Sequence, residues 1–463
     1  MKMKFLFFSL ALFFSQFPLL GIEQEANTVL QGKVKGFEGK TIQLGIYEDF
    51  LTKTKKWVRE SSIKDGKFRF EISLSATNQL VLKIEDKQVE LFAAPKQLYN
   101  LGIYYDEILN QGKIHDKKLS LEFPFPKSEN INLQIKKFNR DYGKFIEQNY
   151  RKFAINAVKA EIDQFVKKWE GKLPAYSSSE FVSVYIRYSL ANLEDINKKP
   201  EKELFEKYLK NKPIRYRQKQ YFTFFTQLYK QDFEQLTYTK RGSELLKAIM
   251  LDNNLSETKK LLMQYKDFQR AEFAELYLIY GLFDVYHKKV VNQKTALSLL
   301  EKISSNGESS ANQIIARNVF NQLKQFSERQ NAPNFKLKNT AGEVKELTDF
   351  HGKIIYLGFW SNQSLSSLKD LRLIQKLYQT YGSQIEFISI NLDEDAEAYK
   401  KVKQENNYAW HFLHRGNDYA LKKDYELYAL PAYFLIDAEG KFIKPFAPGP
   451  LDIEPTLHHL IRK

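Results

Sequence analysis

The sequence contains no cysteine among its 463 residues, and that absence closes off more chemistry than any other feature of its composition. Without a thiol there is no disulfide cross-link, no thiol-disulfide exchange, no iron–sulfur cluster and no thiolate-bound zinc. The domains must be held by their cores alone. Long apolar runs are missing as well: spanning a bilayer takes about 20 consecutive apolar residues, and the N-terminal run is shorter while no later segment qualifies. No transmembrane segment is expected. Clustering of one charge sign is also lacking. The formal charge is +15, but the lysines are spread through every segment, whereas nucleic-acid binding leaves a gathered basic patch. A solvated basic surface is the simpler reading, with attraction to anionic envelope surfaces as the alternative, and no nucleic-acid partner is expected.

What is present begins with an export signature. Lys2 and Lys4 form a positive n-region, and Phe5 to Phe14 an apolar h-region interrupted by Ser9. Cleavage is placed after Gly21, so that residues 1–21 are a signal peptide and the mature chain begins near Ile22. A lipoprotein signal would need cysteine where Ile22 stands. The expectation is a soluble periplasmic protein without a lipid anchor.

At about 150 residues per domain the length suggests three domains. From residue 22 to 105, short β-type runs alternate with turn signals: Val29–Val34, Lys40–Leu44, Lys56–Val58, Phe68–Ile72, Leu80–Leu82 and Val89–Phe92. Asp65-Gly66 supplies the residue pair that a tight hairpin turn with two positive φ angles requires. This predicts a small antiparallel β-sandwich. From 129 to 329 the period becomes helical: Ile315, Val319, Leu323 and Phe326 form one apolar stripe, and Leu261, Tyr265 and Phe268 another. Breaks at Gly171, Pro174, Pro200, Pro213, Gly242 and Gly307 give seven or eight helices. The Tyr- and Phe-rich stretches at 208–233 and 273–286 are read as core rather than as a ligand cage. No fixed-period repeat is evident, which leaves a tetratricopeptide-like array a weak alternative. From 332 to 463 strand and helix signals alternate in the order β-α-β-α-β-β-α, which describes a mixed sheet with helices on both faces. Periodicity lapses at 107–127 and 327–332, the expected linkers.

The last segment carries recognisable residues. Gly352-Lys353 before the apolar strand Ile354–Phe359, Phe359-Trp360, Asn391-Leu392-Asp393-Glu394-Asp395 and Leu430-Pro431-Ala432-Tyr433-Phe434-Leu435-Ile436-Asp437 resemble the thioredoxin-like TlpA/ResA family of periplasmic proteins. The 22–105 segment resembles, less specifically, the small β domain of long exported relatives. The family resemblance implies a Cys-x-x-Cys pair beginning four residues after the tryptophan. Here that count reaches Ser364-Leu365-Ser366-Ser367. Ser364 takes the nucleophile's position, Ser367 the resolving position, and Pro431 that of the family's cis-proline. A helix N-terminus lowers a thiol pKa into the neutral range; a serine hydroxyl is a far weaker acid and forms no disulfide. Redox catalysis by this chain is therefore excluded, and no catalytic residue, metal or cofactor is expected.

Other residues have bland readings beside sharp ones. Ser364 as a hydrolytic nucleophile would need a base within reach, and the nearest histidine in sequence is His351, upstream of the strand; capping by Ser364 or Asn362 is preferred. His411 and His414 lie three apart on a strand and point to opposite faces. His458 and His459 diverge on the terminal helix. Asp393 and Asp395 are read as helix-capping rather than calcium-binding. The functional expectation is a binding or scaffolding protein that takes a peptide segment or envelope partner in the groove formed by Trp360, Ala429, Leu430 and Pro431, or on its helical domain, since strand addition supplies affinity without a thiol. The alternative is an enzyme, either a thiol-disulfide oxidoreductase by fold or one with an unrecognised non-thiol site.

Overall fold

Period-two alternation is clearest in Lys67–Ile72, where Phe68, Phe70 and Ile72 turn inward while Lys67, Arg69 and Glu71 face solvent. The computed structural model describes residues 27–462 apart from 111–116, 125–129, 156, 177, 289 and 428. The expected export signal, residues 1–21, lies outside the described residues. Eight strands follow: β1 Thr28–Lys35, β2 Thr41–Tyr47, β3 Lys55–Ser62, β4 Lys67–Ile72, β5 Asn78–Ile84, β6 Lys87–Ala93, β7 Leu98–Tyr105 and β8 Leu119–Glu122. They form two four-stranded sheets, in the orders β4-β1-β7-β8 and β3-β2-β5-β6, whose inner faces share a core that includes Leu30, Leu44, Leu82 and Leu101. Asp65 and Gly66 have φ of 51° and 63°, and the Glu38 carboxylate accepts both of their N–H groups at 3.0 and 2.8 Å.

Two expectations need correction here. The sandwich is not wholly antiparallel: β1 and β7 run parallel, in register from Val29 opposite Leu98 to Lys35 opposite Tyr104. Side-chain alternation is the same in either direction, so the pattern carried no information on it. The sheet also continues beyond residue 105, because Leu119–Glu122 pairs with β7 from Tyr105 back to Gly102.

Between Ile131 and Gln325 the described residues form twelve α-helices rather than seven or eight. Several breaks occur without glycine or proline: Gln231, Asn253 and Asp267 adopt left-handed φ of 61°, 44° and 55°. Two aromatic cores result. One gathers Phe138, Phe165, Trp169 and Tyr185; the other gathers Tyr221, Phe225, Phe273 and Tyr277 and also takes Phe50 and Leu51 from the β2–β3 loop. Asp49 of that loop accepts hydrogen bonds from Thr52 and, at 2.8 Å, from Asn318. Burial pushes the Asp49 carboxyl up.

The remaining strands are β9 Lys336–Asn339, β10 Val344–Glu346, β11 Ile354–Trp360, β12 Ile385–Asn391, β13 His411–His414, β14 Ala432–Ile436 and β15 Phe442–Lys444. They make one sheet in the order β10-β9-β13-β12-β11-β14-β15. β11, β12 and β13 run parallel, and β14 is antiparallel to β11. Helices Leu365–Tyr381, Ala396–Glu405 and Glu454–Ile461 complete this region, and the sheet has a hydrophobic core on each face. The short β9–β10 hairpin has no apolar run and escaped the sequence pattern. Residues 327–332 are not a free linker: Arg329 N–H donates to Phe442 O at 2.7 Å, Phe442 N–H to Gln330 O at 2.8 Å and Ala332 N–H to Gly440 O at 2.9 Å. Phe326, the last residue of the stripe from Ile315, packs into the sheet's core and not into the helical one.

Candidate functional site

The strongest polar constellation lies at the C-terminal ends of β11 and β12, where the strands deliver their chains into helix N-termini. Ser361, next after β11, donates from its hydroxyl to Asp393 Oδ1 at 2.5 Å. Asn362 N–H donates to Asp393 Oδ2 at 2.7 Å, and Asn391 Nδ2 donates to the same oxygen at 3.1 Å. One buried carboxylate thus ties the turn after β11 to the end of β12. Asp393 does not cap a helix; Asp395 does, accepting from Glu397 and Ala398 N–H groups.

Ser364 is the N-cap of helix Leu365–Tyr381. Its Oγ accepts the Ser367 N–H at 3.2 Å and lies 3.0 Å from Ser366 Oγ. Among the described residues its only side-chain hydrogen bonds are these, and His351 sits against Gly440 in the β14–β15 turn, at the opposite end of β11, a strand about 20 Å long. Ser367 is 1% exposed and among the described residues its hydroxyl has no hydrogen-bond partner, so Ser364 and Ser367 are unalike, one a working cap and the other a buried orphan. Leu365 between them is 77% exposed.

Leu430–Pro431 is a cis peptide bond leading into β14. Ala429 is exposed, Leu430 and Pro431 half-buried. Among the described residues, the backbone groups of Ala429 and Leu430 have no hydrogen-bond partner. Trp360 belongs elsewhere: it is 2% exposed and packs edge-on against Phe412, beneath the surface instead of in a groove wall.

Arg415 is the contributor that sequence reasoning missed. It is buried, donates from Nε to Leu392 O at 2.7 Å and lies over the Tyr419 ring. An isolated arginine after a short strand gives no pattern signal. With Gln363, Glu394 and Lys117 it borders a cavity of about 370 Å³ beside the Ser361–Asp393 network. Lys117, just before β8, forms an ion pair with Glu394 across this cavity. The two strand histidines diverge: His411 Nε2 lies 3.0 Å from Glu386 Oε2, while His414 is buried under the Tyr399 ring. Burial and then the neighbouring Arg415 hold the His414 pKa below its ordinary value. Among the described residues no group of three or more His, Asp or Glu side chains could hold a metal ion.

A thioredoxin-like family profile matches residues 352–442, from the turn before β11 to the start of β15. The thiol-disulfide oxidoreductase ResA of Bacillus subtilis is 31% identical over 128 residues, which are 27% of this chain and 70% of that protein. Through its C-terminal region the chain belongs to the thioredoxin-like family. ResA of Bacillus thuringiensis is 34% identical over 115 residues, 24% of this chain and 65% of its own length. The chain thus spans about two thirds of the curated relatives it matches. Among solved structures, the thioredoxin domain of a thiol-disulfide oxidoreductase from Bacteroides vulgatus is 22% identical, with 29% of this chain and 98% of that one covered and a TM-score of 0.28. The β-rich and helical regions before residue 332 fall outside the family match. Among the described residues no helix is long and apolar enough to cross a membrane.

Proposed function

We propose that this chain is an exported, redox-silent member of the thioredoxin-like family, a periplasmic binding or scaffolding protein that holds an extended peptide segment of an envelope partner along Ala429–Pro431. The observation that carries the reading is the Ser364 N-cap in a sequence without cysteine. At this helix N-terminus unpaired N–H groups and the helix dipole would favour a thiolate; a serine there spends its oxygen on the Ser367 N–H instead. Family relatives bear the name thiol-disulfide oxidoreductase, so the scaffold is one that elsewhere presents a thiol. Among the described residues the Ala429 and Leu430 backbone is unpaired, which is what strand addition needs, and Leu365, next to the Ser364 cap, offers an exposed apolar side chain.

The test is site-specific photo-crosslinking in cells. Benzoylphenylalanine replaces Ala429 in one strain and Ala341, on the exposed β9–β10 turn, in another. The proposal expects discrete envelope adducts from position 429, lost when Leu365→Arg is added, and none from position 341. Identical adduct patterns from both positions would overturn it.

A further inference from the structure

A cavity of about 1030 Å³ lies far along the chain from the serine loop, between the β-sandwich and the helical region. One wall is the start of β7. Val29 N–H donates to Gln97 O at 3.0 Å, which orients residues 97, 99 and 101 toward β1 and, by strand alternation, the backbone groups of Leu98 and Asn100 the other way. On that side, among the described residues, β8 covers β7 only from Gly102 onward. Among those residues Leu98 and Asn100 therefore present an unpaired sheet edge to the cavity, and Leu98 is 56% exposed.

This opening contrasts with the protein's treatment of its other edge. On β6, the Phe92 N–H and carbonyl are both taken by the Asn132 side chain, at 2.7 and 2.8 Å, and Gln88 N–H is taken by Lys117 O at 3.1 Å. Proteins cover exposed edges because an uncovered one templates pairing with another chain. Here the β6 edge is covered by the Asn132 side chain and the Lys117 backbone, whereas the start of β7 faces the cavity.

The opposite wall is electropositive. Asn130, Ser179 and Gln218, the N-caps of helices Ile131–Gln148, Glu180–Ile196 and Lys219–Leu228, all border the cavity. Each helix start carries about half a positive charge. Arg215 and Arg217 border it too, against a single acid, Glu180, which is already paired with Arg215 at 2.7 Å. Gln218 borders the cavity while buried, its Nε2 donating to Phe181 O at 3.0 Å, so that it fixes this wall in place. A polypeptide offers the backbone groups that an edge strand needs, and acidic side chains complement the arginines and helix N-termini.

We propose that this cavity binds an extended, acidic polypeptide segment, which adds as a strand to β7 at Leu98–Asn100 and directs its carboxylates toward Arg217 and the three helix N-termini. It is separate from the Pro431 groove and does not rest on the function proposed there.

The test uses the full chain and fluorescence anisotropy with three labelled octapeptides: alternating Val–Glu, alternating Val–Lys, and Val–Glu methylated on alternate backbone nitrogens. The Val–Glu peptide is expected to bind in a salt-sensitive manner, with the Val–Lys and methylated forms each weaker by about ten-fold or more. Asn100→Pro removes an N–H that faces the cavity and no ladder bond, so it should weaken Val–Glu binding while circular dichroism stays unchanged. Arg217→Glu should shift preference toward Val–Lys. Equal binding of the Val–Glu and Val–Lys peptides would overturn the acidic preference. Undiminished binding of the methylated peptide, an arm that leaves the protein untouched, would overturn strand addition. Heparin binding that Asn100→Pro leaves intact, with no peptide binding, would assign the cavity to an anionic polysaccharide and overturn the proposal.

Discussion

The helical middle and the C-terminal sheet both bury charge, but they use it differently. In the helices Glu275 is 0% exposed and lies inside the packing, accepting Glu308 N–H at 2.8 Å and Asn312 Nδ2 at 3.1 Å and pairing with Lys259 at 3.2 Å. Glu194 is held likewise by Lys199, Lys207 and Tyr208. These carboxylates pin helices to one another. In the sheet domain the buried charges are Asp393 and Arg415, both just past strand C-termini, where they fix the loops around Ser364. Buried charge is a structural strut in one region and a frame for a site in the other.

Removing a strut should have the largest effect. Glu275→Ala removes the acceptor shared by Lys259, Asn312 and the Glu308 N–H; Lys259 keeps Glu308 and Asn312 keeps Glu272 O, so the expected loss is that of lost buried hydrogen bonds, about 1–3 kcal/mol. Chemical denaturation should show that loss, with hydrogen exchange accelerated first in helices Ala271–Val285 and Ser310–Gln325. Unchanged stability would mean that the helices are held by aromatic packing alone.

Much of the sheet domain was legible because its strands are continuous apolar runs bounded by turn residues, and Gly352, Trp360 and Pro431 fall at recognisable intervals. The helical region was legible only as a class. Its helices break at Gln231, Asn253 and Asp267 through left-handed backbone, and its buried glutamates look in sequence like any surface glutamate. At the site the Ser364 cap could be anticipated from local chemistry. The Asp393–Ser361 link and the Arg415 contact could not, because they join residues 32 and 23 positions apart and depend on the parallel pairing of β12 with β11 and with β13. The burial of Trp360 depends on the same packing.

Acid should separate the two regions next. Burial opposes ionisation of Glu194, but the hydrogen bonds from Lys199, Tyr208 and Lys207 outweigh it and hold its carboxyl below the ordinary range. A depressed folded pKa gives stability that is present above the unfolded value, near 4.5, and is lost as pH falls through the folded value. Glu194→Gln should flatten that acid limb in urea titrations, and an unaltered limb would reassign it. Glu426, on the loop before Pro431, behaves oppositely. Burial pushes its carboxyl up to about 6, so its protonated form favours folding and stability falls as pH rises from about 4.5 toward 6. Glu426→Gln should add about 1 kcal/mol at pH 7, after discounting for partial solvent exposure, and little at pH 4.

The smallest effects should distinguish the two serines. Ser364→Ala removes the N-cap and should cost about 1 kcal/mol. Ser367→Ala removes a hydroxyl without a partner and should be neutral or slightly stabilising. Equal losses would show that the Ser367 hydroxyl has a partner in solution.

The most direct measurement of the central claim, that serines occupy the thiol positions of an otherwise competent thioredoxin-like scaffold, is insulin reduction by the Ser364→Cys, Ser367→Cys double variant. The account predicts that its two thiols close to one intramolecular disulfide on oxidation by oxidised glutathione, that the Cys at position 364 titrates below about 8.5 at the helix N-terminus, and that insulin is reduced with turnover when dithiothreitol re-reduces that disulfide. The parent chain should do none of these. Failure of the folded variant to form that disulfide would contradict the assignment of Ser364 and Ser367 to the redox positions.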